Sequence, residues 1–190
     1  MKKITLIRHG KTVGNLEKRY IGITDEQLCK EGEEEILAKE YPKADIVFSS
    51  PLFRAVETAA LIYPGQEIYT IDELKETNFG EFEGKSYKEL SDNPKYSEWI
   101  ASGGDMPFPG GESKDEANRR TMEGFKKLLE RIGDNENISV VAHGGTIMAI
   151  LSELFGGDYY SYHVENGEGY TFEISSDGIY SGLSARSFNR

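Results

Sequence analysis

Ile4-Thr5-Leu6-Ile7-Arg8-His9-Gly10-Lys11-Thr12 is an apolar run that stops abruptly at a cation, an imidazole and a glycine. β-Branched and aliphatic residues in so short a run read as a buried strand, and glycine after it lets the backbone turn or approach a ligand closely. The construction recurs at Ile138-Ser139-Val140-Val141-Ala142, which runs into His143-Gly144-Gly145-Thr146. Each strand thus delivers a histidine followed by glycine to its C-terminal end. In one parallel sheet those ends share an edge, where open α/β sheets place their ligands. The rest of the chain reads as serving that edge.

With 190 residues, 37% apolar and 29% charged, the composition is that of one globular domain with an adequate core, expected over residues 1–190. A single cysteine, Cys29, permits no internal disulfide and offers no CxxC motif, which fits a reducing cytoplasm. The basic start Met1-Lys2-Lys3 is followed by too short an apolar run for a signal peptide, and no segment is long enough to span a membrane. The formal net charge of -11 argues against nucleic acid and anionic membranes as partners. The same field opposes a small anionic substrate, so local arginines and helix N-termini must overcome it. Glu33, Glu34 and Glu35 read as a solvated helix face.

Residues 11–28 lack periodicity and read as a loop beside the first strand end. A helix is expected from Lys30 to Tyr41, with Ile36, Leu37 and Tyr41 on one face and Pro42 beyond it. Asp45–Ser49 reads as a second buried strand, and Ser50-Pro51 as the start of a helix through Ile62. Arg54 then sits in a helix's first turn, where a cation opposes the macrodipole and either points into solvent or awaits an anion. Glu67–Ile71 reads as a third strand, followed by a loop holding Glu76, Glu81 and Glu83, which composition cannot rank. Residues 85–112, with Trp99, Met106 and Phe108 among prolines and glycines, read as short helices and a flap. The flap's aromatics are expected mainly to pack on the core, with gripping a leaving group as their other use. Ser113 to Glu116 forms a capping box for a long amphipathic helix, and another helix runs from Thr146 to Phe155. Tyr170–Ile174 and Ile179–Ala185 flank a Ser-Ser-Asp-Gly turn, so the sheet should end in an antiparallel hairpin.

These residue types suit phosphoryl transfer. Arginine's planar fork matches phosphate oxygens, so Arg8, Arg54 and protonated His143 could clamp them. A neutral His9 could attack phosphorus in line with the leaving oxygen, and a carboxylic acid beside the phosphate could protonate that oxygen and later activate water. No GxxxxGK[ST] loop is present. His9, His143 and His163 could in principle hold zinc, but no HExxH or HxH pair exists and Arg8 would repel a cation, so no metal is expected. His163, among Tyr159, Tyr160 and Tyr162, reads as structural.

The blocks together resemble the histidine phosphatase superfamily in its phosphoglycerate-mutase-like branch. Arg8-His9-Gly10 with Thr12 and Asn15 is similar to its phosphohistidine motif, Ser49 through Ala59 to its second block, and Leu74-Lys75-Glu76 with Phe79 through Gly84 to the segment carrying the acid. Ala142-His143-Gly144-Gly145 is similar to its last histidine block. The resemblance implies a three-layer α/β/α fold, a mostly parallel sheet with an antiparallel edge, and phosphate chemistry without metal or other cofactor. It implies His9 as nucleophile, Glu76 as proton donor, Arg8, Arg54 and His143 as phosphate pocket and Asn15 as a further phosphate contact, with Ile21, Gly22 and Gly144 touching substrate. Lys11, where Glu or Gln is commoner, and Phe82, where many members have Trp, depart from the pattern; Lys11 bears on the site's charge.

Arg19 through Asp25 and Pro109 through Ser113 are similar to stretches in α-ribazole-phosphate phosphatases of cobalamin assembly and in broad-specificity relatives. The expected function is hydrolysis of a small phosphorylated metabolite in the cytoplasm, with a homodimer allowed. A phosphoglycerate mutase is the alternative enzyme, which the shortness of the chain disfavours. A phospho-ligand binder without catalysis is the alternative of another class, and it has no use for His9 and Glu76.

Overall fold

Ile4, Leu6 and Ile7 are all buried in the first strand, β1 (Lys2–Arg8), so both of its faces are covered. Alternation along a strand sends Ile4 and Leu6 into one core and Ile7 into a second core on the opposite face. The structure, a computed structural model, describes residues 1–189. After β1 come α1 (Val13–Leu16), α2 (Lys30–Leu37), β2 (Ile46–Ser49), α3 (Phe53–Ile62), β3 (Ile68–Thr70), α4 (Pro94–Ala101), α5 (Lys114–Arg131), β4 (Asn137–Ala142), α6 (Gly144–Phe155), β5 (Gly169–Ile174) and β6 (Tyr180–Arg186).

The six strands lie in the order β3-β2-β4-β1-β5-β6. The first four neighbours are parallel, and the hairpin of β5 and β6 forms the antiparallel edge. One core joins Phe125 and Leu128 of α5 and Ile147 and Ile150 of α6 to Ile4, Leu6, Phe48 and Val140. The other joins Ala55 and Ala59 of α3 to Ile7, Val47 and Val141. Each fully buried Phe or Leu stabilises this sandwich by about 1.5–3 kcal/mol. The architecture is therefore three-layered, α/β/α, with a mostly parallel sheet.

Register supplies what the strands separately could not. Arg8 lies opposite Ala142 in the parallel pair of β1 and β4, so His9 and His143 leave neighbouring strands side by side. The His9 amide donates to the Ala142 carbonyl at 3.0 Å.

Several expected elements shift. Residues 11–28 contain α1, a single turn held by a capping box between Thr12 and Asn15. The helix expected to reach Tyr41 stops at Leu37, which is exposed; Tyr41 instead leaves the helix and packs on Phe188 with ring centroids 4.8 Å apart. α3 begins at Phe53 rather than beside Pro51, and its first amide is capped from outside, by Asp25 Oδ1 at 2.7 Å. Ser50, read as the cap, has other work. Within 85–112 the only helix of standard length is α4, and Pro109 is anchored through its carbonyl, which accepts from Glu81 N at 2.8 Å.

Candidate active site

His9 follows the last residue of β1 and is 4% exposed. Its Nδ1 lies 2.7 Å from the Gly10 carbonyl, which can only accept, so Nδ1 carries the ring proton and Nε2 keeps its lone pair. Burial, with Arg54 and Arg8 adding to it, holds the imidazole well below the usual histidine range, and His9 is neutral at pH 7.

His143 is fully buried, and its ring centroid is 5.1 Å from that of His9. Its Nε2 meets Ser50 Oγ at 2.7 Å, while Nδ1 has no protein partner. Burial again lowers its affinity for a proton, with the charge of Arg54 next, then repulsion from His9 whenever that ring is protonated, and Arg8.

Arg54 is 0% exposed, which overturns any reading of it as a solvated surface cation. Its guanidinium donates to the carbonyls of Thr24 at 2.8 Å and Gly22 at 2.6 Å, with Ile21 at 3.4 Å. Oriented carbonyl dipoles thus hold a cation in an unfavourable first turn, while its Nε remains without a partner. Arg8 donates to the Val164 carbonyl at 2.7 Å and likewise leaves Nε unpaired. Burial lowers both arginine pKa values, with Glu76 the foremost charge pulling each back up.

Three buried nitrogens, Arg8 Nε, Arg54 Nε and His143 Nδ1, therefore gather at one sheet edge with nothing in the protein to bind. Leaving a buried polar group unmet costs about 1–3 kcal/mol. Such a cluster is arranged for an anion.

Glu76 faces this cluster from the loop after β3 and is 7% exposed. Its Oε1 accepts from Thr77 N at 2.8 Å and its Oε2 from Gly145 N at 3.0 Å. Gly145 permits this approach because a side chain there would collide with the carboxylate. Glu81 and Glu83 lie elsewhere. Glu81 pairs with Lys95 at the surface, and Glu83 accepts from Gly22 N, Ile23 N, Phe79 N and Thr24 Oγ1.

Asn15 sits two hydrogen bonds from the nucleophile's backbone, through Asn166. Its Oδ1 accepts from Thr12 N at 3.1 Å and from Asn166 Nδ2 at 3.2 Å, and Asn166 also donates to the His9 carbonyl at 3.0 Å. Ile21 and Gly22 serve the site through the carbonyls that hold Arg54, and neither lines the cavity beside it. Gly144 does line it, next to Arg8. Lys11 pairs with Glu31 at 3.0 Å and Glu35 at 2.6 Å, so its charge is neutralised on α2, and Glu35 is not merely solvated.

The cavity is about 330 Å³, with Arg8, Glu76 and Gly145 on one side and Tyr20, Phe79, Trp99 and Phe108 on another. His163, expected among structural residues, lines the cavity with its side chain 58% exposed, directly after the 3-10 turn Tyr159–Tyr162, whose Tyr159 and Tyr160 line it too. Sequence reasoning missed Ser50, Asn166, Tyr159 and the ion pair of Arg120 with Glu112 at 2.8 Å. Arg120 donates to the carbonyls of Glu73 and Lys75 at 2.8 Å, and Glu112 accepts from Asn78 N at 2.8 Å, which braces the Glu76 loop on both flanks. Ser50 carried the signal of a helix cap; Asn166 carried none. Among the described residues, no three His, Cys, Asp or Glu side chains gather where they could hold a metal ion, and no helix is long and apolar enough to cross a membrane.

Fold and site together define a phosphate-handling α/β enzyme. The chain belongs to the histidine phosphatase superfamily (branch 1), whose family profile matches residues 4–182, and it is a phosphatase of that kind. It is 32% identical over 179 residues to a "putative phosphoserine phosphatase 2" of Hydrogenobacter thermophilus, covering 87% of this chain and 86% of that one. It is 35% identical over 170 residues to a 2,3-bisphosphoglycerate-dependent phosphoglycerate mutase of Gloeobacter violaceus, covering 81% and 76%. The crystal structure of a "putative alpha-ribazole-5'-P phosphatase" from Escherichia coli superposes with a TM-score of 0.84 at 25% identity, covering 100% of this chain and 96% of the other.

Proposed function

We propose that the protein hydrolyses a small phosphorylated metabolite in the cytoplasm, without metal, through a phosphohistidine on His9. The observation that carries this reading is the set of unpaired buried nitrogens of Arg8, Arg54 and His143 around a neutral His9. A bound phosphoryl group supplies their missing acceptors. With Ser50 Oγ donating to His143 Nε2, His143 Nδ1 bears a proton and becomes a donor to a phosphate oxygen. Asn15 adds a further contact, and Ile21 and Gly22 contribute by fixing Arg54.

His9 Nε2 attacks phosphorus, and the bond to the leaving oxygen breaks as Glu76 gives that oxygen its proton. The imidazolium formed is stabilised at Nδ1 by the Gly10 carbonyl. Water then attacks phosphorus, its proton passes to the Glu76 carboxylate, and inorganic phosphate departs from a neutral His9. Candidate substrates include α-ribazole phosphate, after the Escherichia coli structure, and phosphoserine, after the Hydrogenobacter relative. Isomerisation of phosphoglycerate is the second reading, favoured by the Gloeobacter relative.

The test is phosphate release from a panel of phosphomonoesters by wild type and His9→Ala, with acid-labile phosphate on His9 sought by intact mass spectrometry. Release that depends on His9 supports the reading. Isomerised phosphoglycerate dependent on a bisphosphate primer gives the mutase, and phosphate binding without release gives a binder.

A further inference from the structure

Resting on the phosphatase reading above, we infer that the leaving group this site selects is flat, apolar and uncharged, held between the Trp99 and Phe108 wall and the Tyr159 turn. The wall is built before any ligand arrives. Trp99 and Phe108 have centroids 4.8 Å apart at 30°, Phe79 meets Phe108 at 4.9 Å, and Tyr20 meets Phe79 at 5.4 Å. A prearranged aromatic surface binds a planar group with little ordering cost and gains from offset or edge contacts.

The tyrosine hydroxyls of this wall are already engaged, while the buried Trp99 Nε1–H has no partner in the protein and is a neutral donor. Tyr20 OH is 3.1 Å from Tyr96 OH, and Tyr159 OH donates to the Gly145 carbonyl at 3.2 Å. What the tyrosines offer a ligand is therefore ring rather than hydroxyl. Thr77, which lines the cavity next to Glu76, supplies a neutral polar handle.

A second anionic group on the substrate finds poor provision. Beyond Arg8, the lining offers Lys114, whose ammonium is bound by Asp105 Oδ1 at 3.0 Å while lying 5.9 Å from the Tyr159 ring centroid, and His163, whose Nδ1 faces Glu165 Oε1 at 4.0 Å. A carboxylate would have to share Lys114 with Asp105, enter beside the Glu76 carboxylate and do so against a net charge of -11. An aryl group meets none of these costs. Small carboxylated phosphomonoesters such as phosphoserine should accordingly be poor substrates, whatever a relative prefers.

The test compares 2-phenylethyl phosphate, ethyl phosphate and O-phosphoserine, the first two having leaving oxygens of similar basicity. Burial of the phenyl group should raise kcat/KM over that for ethyl phosphate by about 10- to 100-fold. Trp99→Ala and, as a milder change, Phe108→Leu should each shrink that ratio. The chain has one tryptophan, so ligand binding to His9→Ala can be followed by its fluorescence, and the aryl phosphate should bind more tightly than the alkyl one by a comparable factor. A ratio below about 10, or phosphoserine turned over as fast as the aryl ester, overturns the inference alone. No release from any ester, with no phosphate on His9, removes the phosphatase reading and the inference with it.

Discussion

Gly145→Ala separates stability from catalysis. A methyl group at Gly145 would fall on Glu76 Oε1, well inside van der Waals contact, and 3.2 Å from Glu76 Cδ. The backbone need not move, because the obstructed atom is the tip of a flexible side chain. The carboxylate must instead retreat by about 1 Å to restore a normal contact distance. Alanine in the first turn of α6 is at least as good a helix former as glycine, by up to about 1 kcal/mol, so folding should not suffer. General acid catalysis contributes about 10²–10⁴-fold, and a 1 Å misplacement costs on the order of 10²-fold. The expected result is an unchanged or raised Tm with kcat/KM for an alkyl phosphate lowered about 100-fold, and a much smaller loss for p-nitrophenyl phosphate, whose leaving group needs no proton. Equal losses on both esters would refute the assignment of Glu76 as acid, and no loss on either would refute its place in the reaction.

Other perturbations address other parts of the site. His9→Ala should abolish phosphate release while leaving the circular dichroism spectrum intact, and chelators should leave the wild-type rate unchanged; activity lost in chelator and restored by a divalent ion would sink the metal-free mechanism. His9 and His143 are held neutral in the fold below their ordinary pKa, so as pH falls through about 6.5 the unfolded chain binds protons that the native state does not. Stability should then decline toward acid by up to about 1.4 kcal/mol per pH unit for each histidine, a slope visible in urea titrations and reduced in His9→Ala. For the same reason the acid limb of kcat/KM should fall below pH 6.5, and a limb above it would contradict a desolvated, neutral nucleophile. Glu83→Ala removes the acceptor of four hydrogen bonds from Gly22, Ile23, Thr24 and Phe79, and the carbonyls of Gly22 and Thr24 among them fix Arg54. It should weaken competitive inhibition by inorganic phosphate about 10-fold, with Glu83→Gln restoring part of it; an unchanged inhibition constant would show that Arg54 does not depend on this tether.

The strand ends carrying His9 and His143, the helix from the Ser113 capping box and the closing hairpin were all legible in the sequence, because each is written in neighbouring residues. Helix ends were less so. Leu37 was expected to be buried and is not, since nothing local records that Tyr41 finds Phe188. Ser50 has the local chemistry of a cap, but the His143 ring takes its hydroxyl and Asp25 caps α3 in its place.

By itself the sequence determined the buried strands and the reactive groups at their ends, since period-two burial, capping and turn chemistry act over a few residues. Only the tertiary structure decided which carboxylate faces the histidines, what holds Arg54, and which aromatic rings wall the cavity. These depend on contacts between residues 30 apart for Arg54 and Thr24, 69 for Gly145 and Glu76, and 157 for Asn166 and His9. No local signal encodes such meetings; the register of β1 on β4 and the packing of two helical layers bring them about.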